Sequence, residues 1–183
     1  MERTSARLRL RRPAEDDLAR LFAIYGDAAT NAFNPAGPLP DLERAHALLA
    51  GWLAQWRAHG LGPWAIATRA DPDHVIGFGG ISLHPYLRQQ RVNLGYRFAV
   101  PAWGQGYATE LGMAALAFGF DEHRCDEIFG LVRPSHAASI RVLEKIGMQL
   151  ADTLDDVPGQ APSLVYRAAR HGSGASAVPA PPV

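Results

Sequence analysis

Several architectures are excluded by what this chain lacks. It has one cysteine, Cys125, in 183 residues, so no internal disulfide can staple it, and a lone thiol fits a reducing compartment such as the cytoplasm. No apolar run approaches the ~20 residues of a membrane-spanning helix, and no signal-like segment opens the chain. Neither charge is in excess: 18 Lys plus Arg balance 18 Asp plus Glu, which offers no general attraction to nucleic acid. Arg3, Arg7, Arg9, Arg11 and Arg12 do cluster, but their alternation with Leu8 and Leu10 reads as the wet face of a strand rather than an RNA-binding patch. None of the seven histidines pairs at metal-ligand spacing with a carboxylate or cysteine nearby, so no metal is expected. The Gly-Lys-Ser/Thr of a nucleotide-triphosphatase loop and the spaced glycine triplet of a dinucleotide fold are missing too.

What remains is an ordinary globular composition, 48% apolar, of a length that suits one domain. Residues 6–11 alternate as a strand. Asp16 or Asp17 opens a helix with Leu18, Leu21, Phe22 and Tyr25 on one face, and Thr30 to Pro40 reads as a loop. Asp41 caps a longer helix whose Ala45, Leu48, Leu49, Trp52, Leu53 and Trp56 recur at helical spacing as core positions, and Gly60 and Gly62 end it. Strands follow at 63–69 and 75–83 around Asp71-Pro72-Asp73-His74, then at 92–100, with a turn at 84–91 between. A helix begins near Tyr107, and residues 126–132 form a short apolar strand suited to a sheet centre. Ser135 and Gly147 bound another helix, and strands 148–154 and 163–168 close the sheet. From residue 169 to 183 the composition of Gly, Ser, Ala and Pro predicts a disordered tail. The domain is therefore expected over 5–168, in the order β-α-α-β-β-β-α-β-α-β-β.

The most informative segment runs from Phe98 to Glu110. A strand ends, Pro101 turns the chain, and a loop of small residues opens a helix. Gln105, Gly106, Tyr107, Ala108 and Thr109 place successive backbone N–H groups at that helix start. Those groups have no intrahelical partner, and the helix dipole adds roughly half a positive charge, so the site suits a pyrophosphate. A cofactor containing a diphosphate, of a kind other than a nucleoside triphosphate or a dinucleotide, is implied.

Trp103-Gly104-Gln105-Gly106-Tyr107-Ala108 resembles the acetyl-CoA loop of the GNAT N-acetyltransferases, Gln/Arg-x-x-Gly-x-Gly/Ala, with Trp103 at the first position as in the ribosomal-protein alanine acetyltransferase (RimJ/RimL-like) branch. That branch carries Pro-x-Asn-x-x-Ser-x-x-Val-Leu-Glu-Lys-x-Gly-Met downstream. Pro134, Ser139, Val142, Leu143, Glu144, Lys145, Gly147 and Met148 match it, and His136 replaces the Asn. The two motifs stand in the right order, ~30 residues apart, with a strand between them.

The resemblance implies an α/β fold with one mixed sheet whose fourth and fifth strands, here 92–100 and 126–132, splay apart to admit the cofactor arm. Phe98 and Val100 would contact that arm through their main chains, and a bulge in the fourth strand would aim an N–H at the thioester oxygen. It implies a cytoplasmic acetyl-CoA-dependent acyltransferase that passes acetyl directly to a primary amine, with no membrane or nucleic-acid partner, as a monomer or homodimer. A protein N-terminal α-amine is the favoured acceptor; a polyamine, amino acid or antibiotic is the alternative, and a non-catalytic acyl-CoA-binding module is the rival from another class. Residues 30–40, the helix from 41 to 59, the turn 84–91 and the last hairpin would build the acceptor site.

Acetyl transfer needs an uncharged amine, an oxyanion donor and a proton for the leaving thiolate. Ser139, in the first turn of its helix, is the candidate proton donor. Its alternative is a serine tucked at a helix start. The Tyr that many relatives carry four residues on is Leu143 here, and the Glu that often opens the fourth strand is Asn93. Candidates for the base are Glu110, His84, His136 or a chain of waters. Glu110 also suits the helix N-terminus as a favourable charge. Tyr96 is either part of the cleft wall or a proton carrier. His136 can take over one hydrogen bond from the Asn it replaces. Cys125 has no His or Asn partner and reads as structural.

Overall fold

The computed structural model describes residues 2–170. Residues 171–183, most of the expected tail, lie outside the described residues. The strands are β1 (Glu2–Thr4), β2 (Leu8–Arg11), β3 (Trp64–Thr68), β4 (Val75–Tyr86), β5 (Gln89–Phe98), β6 (Glu127–Val132), β7 (Gln149–Leu154) and β8 (Ser163–Ala169). The helices are α1 (Leu18–Tyr25), α2 (Leu42–His59), α3 (Tyr107–Ala117) and α4 (Ala137–Lys145). The strands form one eight-stranded mixed sheet, ordered β1-β2-β3-β4-β5-β6-β8-β7. No described helix is long and apolar enough to cross a membrane.

Alternation along β3 divides the core. Ala65 faces Leu21, Ile24, Leu49, Trp52 and Phe78 under α1 and α2. Trp64 and Ile66 face Leu94, Leu111, Ala115, Ile128 and Leu143 under α3 and α4. A strand's side chains point to opposite faces in turn, so one strand serves two helical layers. Trp52 and Trp56 are both buried. α2 starts where Asp41 accepts from the Arg44 N–H at 2.8 Å and stops at Gly60, whose φ of 67° favours glycine.

Three sequence expectations need correction. An extra strand, β1, pairs antiparallel with β2, with Arg3 opposite Leu10. The polar run 84–91 is not a long turn: β4 and β5 pair from Gly77↔Phe98 to Tyr86↔Gln89, joined only by Leu87 and Arg88, with Leu87 at φ 55°. Tyr86 holds that extension together, being 4% exposed and bonded through its hydroxyl to Asn93. The bulge expected in the fourth strand is not on that edge either, because the register from Gly77 to Tyr86 is uninterrupted; the sheet's irregularities lie at Ile66/Ala67 and Leu150/Asp152.

The expected splay is present. β5 and β6 run parallel but meet at a single bridge, Asn93↔Phe129. Beyond it the Asn93 side chain replaces backbone pairing: its Oδ1 accepts from the Tyr86 hydroxyl at 2.6 Å and from the Leu131 N–H at 3.2 Å. Two residues on, Gly95 is exposed although it lies in the middle of a strand in the interior of the sheet. The sheet is open there to a ligand's hydrogen-bonding groups.

Candidate active site

A cavity of about 760 Å³ runs through this opening and is lined from both faces of the sheet. That volume is within the usual range for small-molecule sites. On the α3–α4 face its wall includes Gly104, Gly106, Tyr107, Ala108, Thr109, Ser139 and Val142. On the α1–α2 face it includes Thr30, Phe33, Asn34, His84 and Arg97, with Arg133 and Asp156 beyond β6.

The α3 end is built from backbone. Gly106 caps the helix at φ 76°, and the first intrahelical bond runs from the Glu110 N–H to the Gly106 carbonyl at 3.2 Å. The N–H groups of Tyr107, Ala108 and Thr109 precede that bond and have no helical acceptor. A Cβ on Gly104 would meet nothing within 4 Å, and one on Gly106 only Arg7 Nη2 at 3.5 Å. The loop is thus open in front of its donors, a cradle of the kind an anionic group fills. These features fit a cofactor pyrophosphate.

Arg7 braces the loop from outside. Its guanidinium donates to the Gln105 carbonyl at 2.8 Å and to Glu110 at 2.7 Å, and it lies 4.9 Å from the Tyr107 ring centre. Glu110 also accepts from Ser5 Oγ and the Arg7 N–H, each at 2.6 Å. Desolvation pushes its carboxyl pKa up, but these hydrogen bonds outweigh that and leave it below the ordinary value. Glu110, Gln105 and Val100 do not line the cavity. Phe98 does, but its carbonyl already accepts from the Trp103 indole at 2.9 Å, and the Val100 carbonyl accepts from the Trp103 N–H at 3.0 Å. Glu110 therefore faces the β1–β2 turn, away from the space where an amine would sit.

Ser139 and Tyr96 come together across the opening, with 2.8 Å between their hydroxyl oxygens. Burial raises the Tyr96 pKa to about 12, opposed by the Ser139 hydrogen bond, so Tyr96 keeps its proton at neutral pH. α4 is capped by His136, not by the expected Ser135: His136 Nδ1 accepts from the Ser139 N–H at 3.0 Å. That bond requires an unprotonated Nδ1 and leaves Nε2 carrying the proton. Desolvation holds the His136 pKa below its ordinary value. Its ring meets Phe33 of the α1–α2 loop at 4.0 Å between centres, so this residue joins the two halves of the cavity.

His84 lines the cavity beside the edge of Tyr86, 5.9 Å between ring centres. Desolvation lowers its pKa against the pull of Asp156, so it is uncharged near pH 7 and able to accept a proton. Cys125 lies outside the cavity, and burial pushes its thiol pKa up. The structure therefore brings Ser139, Tyr96, His84, His136, Phe98, Gly106, Tyr107, Ala108 and Thr109 to one space. Sequence reasoning placed residues 30–40 at the acceptor site but singled out neither Arg97 nor Phe33 in that wall. Arg97, a charge between Tyr96 and Phe98 on an interior strand, was the available signal for the first; nothing local marked the second.

The family described as "Acetyltransferase (GNAT) domain" matches residues 7–149. The protein YkkB of Bacillus subtilis (strain 168), described as uncharacterized, is 32% identical over 149 residues, 81% of this chain and 85% of its own. The crystal structure of an acetyltransferase from Agrobacterium tumefaciens str. C58 is similar with a TM-score of 0.77 and 25% identity, over 93% of this chain and 95% of that one. The spermidine N-acetyltransferase of Vibrio cholerae, solved with CoA and spermine, shares the fold at a TM-score of 0.71 and 15% identity, over 91% and 97% of the two chains. The splayed sheet, the open helix start and the match across most of the chain converge on one conclusion: this protein belongs to the GNAT acetyltransferase family and is an N-acetyltransferase.

Proposed function

We propose that the protein is an acetyl-CoA-dependent enzyme that passes acetyl directly to an uncharged α-amine, as at a protein N-terminus. The observation that carries this reading is the continuity of one cavity. It links the free N–H groups at the start of α3, the Tyr96–Ser139 pair and the wall around His84 and Phe33. The α3 start and its glycine loop would hold the cofactor's phosphates. Bound there, acetyl-CoA supplies an acyl group activated as a thioester.

The chain's own residues do the rest. The opening between β5 and β6 holds donor and amine in line, and such alignment alone contributes several kcal/mol. His84, neutral near pH 7, accepts the proton the amine sheds. Ser139 delivers a proton toward the departing sulfur, and the Tyr96 hydroxyl behind it relays a proton from solvent to the serine, so that Tyr96 ends each turnover protonated.

The charge on the wall favours an α-amine over a polyamine or an amine-rich antibiotic. Among the described residues Asp156 is the sole carboxylate lining the cavity, and Arg133 stands 3.5 Å from it. A polycation would want several free acids. An α-amine has a pKa near 8 against about 10.4 for lysine, so roughly 10% is neutral at pH 7 against less than about 0.1%. The downstream motif shared with the ribosomal-protein branch supports the same choice. Thiol release from acetyl-CoA, followed with peptides bearing a free N-terminus or a blocked one plus a free Lys, tests it. Acetyl found on the α-amine by mass spectrometry is expected. Acetyl confined to Lys, or turnover of a polyamine alone, overturns the acceptor class; saturable acetyl-CoA binding with no amine-dependent release makes the protein a binding module.

A further inference from the structure

We propose that Arg97 receives a carboxylate of the acceptor, so that the amine acetylated here carries an acid group close by. This rests on the acetyltransferase reading and narrows its acceptor. The carboxylate has two possible sources, the main chain of a free amino acid or an acidic side chain among the first residues of a peptide.

Arg97 is a half-buried guanidinium that lines the cavity. Among the described residues its partners are neutral: it donates to Asn31 Oδ1, and its charge lies 4.3 Å from the Tyr25 ring centre. Tyr25 is no hidden anion, because burial lifts its pKa to about 12. The cavity's other arginine on this side, Arg133, is already engaged. It donates to Ser163 Oγ at 2.9 Å, the Ala161 carbonyl at 2.6 Å and Gln160 at 3.1 Å, with Asp156 at 3.5 Å. Arg7 and Arg11 rest on Glu110 and Asp17. Withdrawing a cation from water without an opposite charge is costly, and here the cost falls on a residue that lines the cavity.

The arginine is also aimed. Asn31, 4% exposed, is itself pinned by bonds from its Nδ2 to the carbonyls of Tyr25 and Asp27, each at 2.8 Å. Its Oδ1 further accepts from Asn34 at 2.9 Å. The short helical turn Ala29–Asn31 thus exists around the group that fixes Arg97. Among the described residues the rest of the fork makes no hydrogen bond, Arg97 lines the cavity, and a planar fork matches a carboxylate in two parallel bonds.

Position adds a direction. Tyr96 and Arg97 are neighbours on β5 and point to opposite faces; Tyr96 meets Ser139, and Arg97 faces the α1–α2 loop. The opening beside Gly95 connects them. An acceptor whose amine lies near Ser139 can therefore turn a nearby acid toward Arg97, which suits an amino acid or the first residues of a peptide.

The test uses the full chain with acetyl-CoA and matched acceptors. One arm compares an amino acid with its carboxamide; the other compares peptides starting with Asp or Glu against Asn or Gln. The arm in which the acid wins identifies the source. In wild type the acid should exceed its amide in kcat/KM by roughly 10- to 100-fold, mostly through KM. In Arg97→Gln that ratio should collapse to within about twofold of one, with Arg97→Lys between. Succinate, which has no amine, should compete with the acceptor and not with acetyl-CoA, a readout that needs no variant. A wild-type ratio near one, an unchanged ratio in a folded Arg97→Gln, or a preference for spermine overturns the proposal while leaving the acetyltransferase intact. Bound acetyl-CoA with no release by any amine removes both.

Discussion

The two ends of the cavity are built from different materials. At the α3 end the working groups are backbone N–H donors, and the side chains that matter are absent ones, at Gly104 and Gly106. At the other end the working groups are side chains from five separate stretches, Thr30 to Asn34, His84, Arg97, Arg133 and Asp156. A backbone cradle constrains sequence over a few consecutive positions and leaves a motif. A wall of side chains brought together by folding leaves none. The difference explains how one fold keeps its donor while changing its acceptor.

If the α3 end works through backbone geometry, breaking that geometry should give the largest effect. Gly106 stands at φ 76°, and a β-branched residue there costs on the order of 1–3 kcal/mol in strain besides filling the approach. Gly106→Val should weaken acetyl-CoA by roughly 100-fold or more, about 2.7 kcal/mol, and the strain should lower the ligand-free melting temperature by roughly 2–12 °C. Calorimetry that returned wild-type affinity would mean the donor is held elsewhere.

Ser139 stands between the two ends. With Ser139→Ala the Tyr96 hydroxyl loses its partner at 2.8 Å, and kcat should fall roughly ten- to a thousandfold while the KM for acetyl-CoA moves less. Tyr96→Phe should fall short of that if Tyr96 only resupplies the proton. Equal turnover in Ser139→Ala and wild type would reduce the serine to part of a helix start.

Asn93 keeps the opening open. Ala at this position strands the Tyr86 hydroxyl and the Leu131 N–H, both paired to Asn93 now. The expected loss is about 2 kcal/mol for two buried groups, a drop of several degrees in melting temperature for a domain of this size. Denaturation in urea would measure it. A loss confined to activity would show that Asn93 shapes the opening without holding the fold together.

These contrasts also account for what was legible in the sequence. The glycine loop, the downstream Ser139 helix, the order of elements and the splay could be read because each is written in a local pattern or in a short motif. The length of the β4–β5 hairpin could not: His84 to Arg91 is polar and Pro-bearing, and only the buried Tyr86–Asn93 bond shows why pairing continues through it. Along the chain Glu110 is a candidate base because it follows the glycine loop by one helical turn. Its neighbours Ser5 and Arg7, more than a hundred residues earlier, give it another occupation. Along the chain Arg97 is one more strand residue, because its significance is that no acid stands near it among the described residues, and absence in space has no signature along a chain.

His136 lies where the two ends meet, and it yields the smallest effect and the sharpest comparison. The branch it resembles has Asn at this position. Asn can cap α4 by accepting the Ser139 N–H as the imidazole does at 3.0 Å, so at pH 8 His136→Asn should match wild type within about 0.5 kcal/mol. The pH dependence should differ. In the unfolded chain a histidine titrates near 6.5; in the fold desolvation holds His136 lower. As pH falls below about 6.5 the unfolded chain therefore takes up the proton first, and stability is lost until the folded pKa is passed. Above that window the term is flat. Wild type should accordingly lose stability between pH 7 and 5, and His136→Asn should lose less over the same range, with the remainder from His84, whose pKa is lowered in the same direction. Urea denaturation at pH 5, 6, 7 and 8 measures both curves. Parallel curves would mean that His136 takes up its proton equally easily in the folded and the unfolded chain, so that losing the cap bond to Ser139 costs the fold nothing. The same variant removes the ring that Phe33 contacts at 4.0 Å. If that contact shapes the acceptor end, KM for the amine should rise severalfold while acetyl-CoA affinity holds; the reverse pattern would move His136 to the donor's side of the cavity.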